Sequence, residues 1–411
     1  MLFRSDHGRP RFELPRRLFV TGVRVHDDLV RNGRVTADRV EAGQQRIEAI
    51  QRRDDDTEFE HAGRGEGLMI LCRSMRRVVV LCRYLPDRTQ SSGELRFDHI
   101  LRHLIRRAER LVIFSEHPGN RHLFADVPVR PIADLRQWRE PIDLAFLEFW
   151  FMATYLRLLR ARGARVVLDS VDVEFVRRSR EARLIGADAG YWRLERRRER
   201  DAYRKVDQVW AVSDADAVHI RPLARDMAVV PNIFTRPVDV PGPEERQGLC
   251  FVGSFFHQPN VDGLRWYRDH VFPRLQDIPH TIVGNGAPPD LAAMPGFVGH
   301  VPDSTVCVRH ARVSIAPLRY GAGLKGKVLE AWACGTPVVT TTIGDEGYGG
   351  ATSGASIAAD DPDAFVQAVR RLMEDDAAWR AMSAQGLAIA ARYSPDVVAP
   401  VMDKALARVS A

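Results

Sequence analysis

The chain has 411 residues, 45% of them hydrophobic and 28% charged, with 30 Gly and 24 Pro; this composition excludes a chain disordered as a whole and predicts two or three domains with dry cores. The net charge of +6 is the small difference between 60 basic and 54 acidic residues, which allows weak attraction to polyanions or to an anionic membrane surface and does not mark a nucleic-acid binder. Five scattered cysteines (Cys72, Cys82, Cys250, Cys307, Cys334) without a CxxC pair exclude a disulfide framework and short-spaced zinc sites, and the lack of about 18 consecutive apolar residues excludes a spanning helix, so the expectation is a cytoplasmic protein.

Residues 1–70 mix charges of both signs, including Arg52-Arg53 and Asp54-Asp55-Asp56. They show no strand-plus-helix rhythm beyond one candidate helix over 42–53, and this N-terminal extension receives no role. From residue 78 short β-branched runs alternate with amphipathic stretches. The runs 78–82 (VVVLC), 111–114, 143–149, 165–168, 208–212 and 228–230 predict buried strands, and 94–107, 151–162, 173–205 and 214–224 predict helices between them. Residues 232–248 break the pattern with Pro237, Pro241, Pro243, Gly242 and Gly248 and read as a linker. The rhythm then resumes with strands at 249–252, 281–283, 297–301, 313–317 and 338–341 and helices at 261–275, 304–311, 325–334, 362–374, 377–391 and 395–409. The fold class is therefore α/β, with two Rossmann-like, doubly wound halves at 71–235 and 236–411 facing each other across a cleft, the default place for a ligand.

The most informative stretch is 317–331, PLRYGAGLKGKVLEA, with a strand predicted before it and a helix starting inside it. Glycines let backbone approach a ligand, and free N–H groups at a helix start attract anions, so the stretch reads as a phosphate cradle. Only four of the 60 basic residues are lysines (Lys205, Lys325, Lys327, Lys404); two of them within three positions here indicate that compact point charges are wanted. Two rival phosphate motifs overlap it. Gly321, Gly323 and Gly326 satisfy the dinucleotide GxGxxG with Asp345 downstream, but the motif does not open the first strand-helix unit of its half. A Walker-type reading places Val328 where a hydroxyl must hold Mg²⁺. Glu330, on the first turns of the same helix, can accept hydrogen bonds from ribose hydroxyls.

The ordered set FVGSFFHQPNVDG at 251–263, Val283-Gly284, GHVPD at 299–303, APLRYGAGLKGKVLEAWACGTPVVTT at 316–341 and Gly344-Asp345-Glu346-Gly347 resembles the C-terminal half of the GT4-like, GT-B-fold glycosyltransferases, group 1 type, in a branch carrying GAGxKGK. The resemblance implies transfer of a sugar from a nucleotide-sugar donor to a glycan or lipid-linked acceptor, with retention of configuration and neither metal nor other cofactor. It places the donor on the second half and the acceptor mainly on the first, and surface-glycan assembly on the inner face of a membrane fits such a role. By position it implies that Gly253 and Ser254 line the diphosphate and base end, that Val301 offers backbone near the base, that Gly323, Leu324 and Lys325 contact the diphosphate, and that Glu330 holds ribose. The chain departs from the commoner pattern at Ala322, where many members carry a first glutamate, and at Ser254, where many carry a basic pair. Arg319, Lys325 and Lys327 are therefore expected to neutralise the diphosphate.

In the first half, TQSSG at 89–93 follows the first strand and matches a loop beside donor phosphates and acceptor, with Gly93 at its end. Asp172, after VVLDS, is the candidate to reach across the cleft. Asp214 and Asp216 form a DxD, the pattern some transferases use for a metal, yet their position after Ser213 at a strand-helix junction reads as a helix start. His257 is a further candidate beside the leaving diphosphate. Lys325, Arg319 and Asp172 thus form the expected catalytic set. Two other activities use the same frame, a GT-B epimerase or a phosphorylase. A non-enzymatic polyanion binder would instead use the arginine-rich 173–205.

Overall fold

A computed structural model describes residues 75–186, 189–237 and 239–410 of the chain; the candidate helix at 42–53 lies outside them. The first apolar run becomes β1 (Met75–Tyr84), whose centre is buried without a break. Its side chains alternate between two cores: Val78, Val80 and Cys82 on one face, Val79 and Leu81 on the other. A strand covered on both faces has no polar side to show, which is why the sequence reads as a continuous apolar block.

Six further strands join it: β2 (Ala108–His117), β3 (Val129–Pro131), β4 (Leu144–Glu148), β5 (Arg165–Asp169), β6 (Gln208–Ala211) and β7 (Met227–Val229). Their order is β3-β2-β1-β4-β5-β6-β7, parallel throughout, with Val78 opposite both Leu111 and Leu144. The second sheet contains β8 (Leu249–Val252), β9 (His280–Val283), β10 (Phe297–Gly299), β11 (Val313–Ala316), β12 (Val338–Thr340) and β13 (Ser356–Ala358), in the parallel order β10-β9-β8-β11-β12-β13. Each sheet therefore reverses its winding beside its first strand, between β1 and β4 and between β8 and β11, and such switch points open crevices at the carboxyl ends of the strands.

The helices that matter below are α1 (Ser92–Arg107), α2 (Glu174–Ile185), α3 (Ala189–Lys205), α4 (Asp214–Ile220), α5 (Gln258–His270), α6 (Ser304–His310), α7 (Gly326–Ala333) and α8 (Pro395–Ser410). The single helix expected over 173–205 is two, because Gly186 takes the left-handed conformation (φ 65°) and its N–H closes α2 on the Ala182 carbonyl. The stretch expected as a helix over 151–162 starts instead as a 3₁₀ segment, Trp150–Tyr155, before a short helix at Leu156–Arg160. Strands β3 and β13, three residues each, are additional to those expected.

The last helix follows the second sheet in sequence but packs on the first. Val398, Met402, Ala405, Leu406 and Val409 of α8 join Val78, Val80, Phe97 and Leu101 in one core. Asp403 accepts from His103 and Arg107 of α1, and the Gln208 amide donates to the Ala405 carbonyl at 3.0 Å. Returning the chain end to the first sheet ties the two halves together by covalent connection as well as by contact.

Candidate functional site

The loop at 317–325 runs from β11 to the start of α7 at the carboxyl end of the second sheet's switch point. Its backbone is held by side chains of the first half. Arg180 on α2 donates to the Gly321 carbonyl at 2.7 Å while gripping Glu346 with both guanidinium nitrogens. Buried Asp216 on α4 accepts from the Gly323 N–H at 3.1 Å, and Asn232 donates to the Leu324 carbonyl at 3.3 Å.

Gly323 has φ +67°, and a Cβ there would lie 3.1 Å from Asp172 Cβ and 3.3 Å from the Val171 carbonyl oxygen. The left-handed backbone and the close approach both call for glycine. Gly326 is tighter still, since its Cβ would fall 2.0 Å from Ser92 Cβ. The helix starts of α1 and α7 therefore meet at a Ser-Gly contact. Gln90 in the preceding loop accepts from Asn285 at 3.1 Å, and Ser91 caps α1 by accepting from the Glu94 N–H.

Lys325 is 7% exposed and donates to the Gly323 carbonyl at 2.6 Å, with the Glu346 carboxylate 3.7 Å away. Burial lowers its pKa against the pull of Glu346 and Asp216. Lys327 donates to Asn260 Oδ1 and sits 4.6 Å from the centre of the Phe251 ring. Desolvation pulls its ammonium down to about 7, opposed by Glu330 and aided by Lys325. Both lysines thus hold charge at a desolvation cost that an incoming anion would relieve.

Gly253 lies directly against this group, since a Cβ there would be 2.9 Å from Lys327 Nζ. Ser254 fixes Asn260 by accepting from its amide at 2.7 Å. His257, at the start of α5, is exposed, and partial desolvation, then the charges of Arg177, Lys327 and Lys325, lower its imidazole. Glu330, 8% exposed, accepts from the Ser304 hydroxyl at the start of α6, and burial raises its carboxyl to about 7. Val301 is buried in the turn before α6.

The structure therefore brings together Gly93, Asp172, Gly253, Ser254, His257, Gly323, Leu324, Lys325, Lys327 and Glu330. Gly93 joins the group through Val171, whose side chain would be 3.9 Å from a Cβ at that glycine.

Arg319 is engaged elsewhere. It is exposed, and its guanidinium forms a two-pronged pair with Asp262 on α5, 2.9 Å at Nε. The cationic side chains at the loop itself are Lys325, Lys327 and Arg180. The Asp172 carboxylate accepts from Arg177 at 3.2 Å.

The helix-start reading of the DxD describes Ser213, whose hydroxyl accepts from the Asp216 N–H, but Asp216 has the second task of holding Gly323. Among the described residues no group of three His, Cys, Asp or Glu side chains is placed to share a metal ion. The described cysteines, Cys82, Cys250, Cys307 and Cys334, are free thiols. No helix of the described residues is long and apolar enough to cross a membrane.

Residues 246–375 match the family model described as glycosyl transferases group 1. Comparison with curated protein sequences returns no match. Among solved structures, sucrose-phosphate synthase from Thermosynechococcus elongatus has a TM-score of 0.62 at 14% identity, covering 80% of this chain and 98% of that one. Anabaena HepE in complex with UDP and glucose has a TM-score of 0.61 at 14% identity, covering 79% of this chain and 98% of that one. The same protein in complex with UDP-glucose gives 0.61 at 13%, covering 80% and 98%. At these identities the structural likeness establishes the fold, the two-sheet GT-B architecture.

Proposed function

From a group 1 glycosyltransferase domain over 246–375 on a GT-B frame, we propose that this protein moves a sugar from a nucleoside-diphosphate sugar to a hydroxyl of a glycan or lipid-linked acceptor, with retention and without a metal. The halves 71–235 and 236–411 act as acceptor side and donor side in this reading. The observation that carries it is the joint placement of Lys325, Lys327 and the start of α7 at the loop, with Glu330 a few residues further along the same helix.

Departure of a nucleoside diphosphate develops negative charge on its β-phosphate. Two ammonium groups and a helix start supply fixed positive potential there, the role a divalent ion has in other transferases. Gly253 lets Lys327 and Asn260 pack against its bare backbone, which holds the ammonium at the loop, and Glu330 above its usual pKa has a carboxyl poised to exchange hydrogen bonds with ribose hydroxyls. Retention rests on the resemblance alone. Binding of UDP by a solved structure of the same fold supports UDP as one of the nucleotides to try, beside GDP and ADP.

The test has two stages. Thermal shift with UDP-, GDP- and ADP-sugars identifies the donor, since a bound donor stabilises in proportion to occupancy. Lys325→Ala is then expected to lower nucleotide release from that donor by about 10²-fold, the scale of losing one preorganised donor. Wild-type turnover in the variant would remove Lys325 from the reaction, and recovery of an isomerised sugar without acceptor would replace transfer by epimerisation.

A further inference from the structure

The loop and its lysines use none of the arginines of α3. Arg193, Arg196, Arg197, Arg200 and Arg204 recur at the spacing of one helix face, and together they line a concavity of about 300 Å³. The other face fixes the helix to the protein. Glu199, Ala202 and Tyr203 are buried there, and the Glu199 carboxylate accepts from the Glu174 and Phe175 N–H groups at the start of α2, at 2.9 and 2.8 Å. The arginine face is thereby turned outward, with Arg200 half-buried and the others exposed.

The fold does little to neutralise this face. Of the five, only Arg204 has an acidic partner among the described residues, Asp201 at 3.1 Å. Glu195 of the same helix lies 3.6 Å from Arg198, off the stripe, and Arg196 rests over the Trp192 ring, 5.5 Å from its centre. From 193 to 204 the helix rises about 17 Å, and like charges at these spacings repel. An array of anions laid along the stripe removes that repulsion.

A second, apolar feature shares the same end of the helix pair. Leu184 and Ile185 close α2 just before the turn at Gly186, and Leu194 follows in the second turn of α3. They are 41%, 55% and 50% exposed. Leu194 is about 60° round the helix from Arg197, so aliphatic and cationic side chains adjoin. A soluble polyanion asks for charge alone, whereas the interfacial layer of an anionic bilayer takes up both kinds of side chain. The position also suits the cleft: α2 carries Arg180, which holds the Gly321 carbonyl, and Ile185 lies only about 8 Å further along that helix.

We infer that the Gly186 end of the α2–α3 pair is a membrane-docking surface, in which the arginine concavity takes the phosphate groups of anionic lipids while Leu184, Ile185 and Leu194 enter the interfacial layer. The binding step stands on this surface alone and goes beyond the sugar-transfer reading, to which it adds a route for lipid-linked acceptors to the cleft.

The test sediments the full chain with vesicles of phosphatidylcholine alone and of phosphatidylcholine with about one third phosphatidylglycerol, at about 0.1 M salt, where charges still act over about 10 Å. Wild type is expected to pellet with the anionic vesicles, not with the neutral ones, and to be released as salt rises. Joint Arg193→Gln, Arg196→Gln and Arg197→Gln should lower partitioning by about 10²-fold, at about fivefold per arginine near an anionic surface. Joint Leu184→Ser, Ile185→Ser and Leu194→Ser should lower it by about 10-fold or more. No pelleting of wild type, equal pelleting with neutral vesicles, or an arginine variant that pellets like wild type overturns the inference. An aliphatic variant that pellets like wild type, or wild type that binds inorganic polyphosphate and no vesicle, overturns the membrane assignment in favour of a soluble polyanion. Should either variant fail to fold, the lipid and salt dependence of wild type decides. Nucleotide thermal shift, scored on the same proteins and expected to be unchanged, tests the donor reading separately.

Discussion

The contact between Gly326 and Ser92 offers a quantitative test of how the two halves are fitted together. An alanine at 326 places its methyl 2.0 Å from Ser92 Cβ and 2.1 Å from the hydroxyl oxygen, whereas non-bonded atoms settle at about 3.5–4.0 Å. The starts of α1 and α7 must then part by about 1.5–2 Å or distort, and overpacking of this kind costs about 1–3 kcal/mol. Helix propensity returns up to about 1 kcal/mol for replacing glycine by alanine, which leaves Gly326→Ala destabilised by about 1–2 kcal/mol. Ser92→Gly removes both offending atoms at a cost of up to about 1 kcal/mol. The double variant should therefore be more stable than the sum of the singles by the relieved overpacking, about 1–3 kcal/mol, a coupling typical of residues in direct contact. Urea unfolding of the four proteins, compared by midpoint and slope, measures it. Because Lys325 and Lys327 flank Gly326, nucleotide affinity should fall in Gly326→Ala and recover in the double variant. Additive stabilities, with no recovery of binding, would refute the contact.

Two further outcomes follow from the ion pairs and lysines. Arg96→Leu strands the fully buried Asp169 and the Val230 carbonyl that Arg96 also serves, so unfolding stability should drop by about 3–5 kcal/mol; a loss under about 1 kcal/mol in denaturant titration would contradict the burial of that pair. Lys327 is lowered to about 7 in the free protein, so its ammonium is present below that pH and lost above it, and a bound diphosphate favours the charged form. Nucleotide affinity of the wild-type protein should weaken as pH rises from about 6 to 8, and in Glu330→Gln, which removes the carboxylate that holds the ammonium up, the weakening should set in at lower pH. A flat calorimetric profile over that interval would place Lys327 away from the phosphates.

The parallel sheets were legible because burial on both faces leaves an unmistakable trace in the residues. The runs 78–82 and 166–168 are apolar at successive positions, and their shortness and β-branched residues separate them from a buried helix. Strands β3 and β13 escaped because three residues, VRP and SIA, carry too little pattern. Gly186 was visible as a glycine, but nothing local distinguishes one that ends a helix from one that a helix tolerates. The return of α8 to the first core was invisible in principle, since its amphipathic face fits either sheet and the choice is made by packing against Val78 and Phe97.

The same physics separates the parts of the site. Lys325, Lys327 and Glu330 could be read together because they lie within six positions, where helix geometry fixes their relation. Arg319 belonged to the same run, yet its direction was decided by Asp262, 57 residues earlier. Asp216 shows how a correct local reading can be incomplete. Ser213 does cap its helix, and nothing in the local pattern reveals that the carboxylate three residues on reaches Gly323, 107 positions away. The arginines of α3 were legible as a composition, and their spacing puts five of them on one face. Which way that face turns is ambiguous until Glu199 is seen to have taken the start of α2, 25 positions earlier. An acidic residue amid arginines reads locally as a surface ion pair, and its anchoring of a second helix, which leaves the arginines outward, is a property of the packed pair and of no segment taken alone.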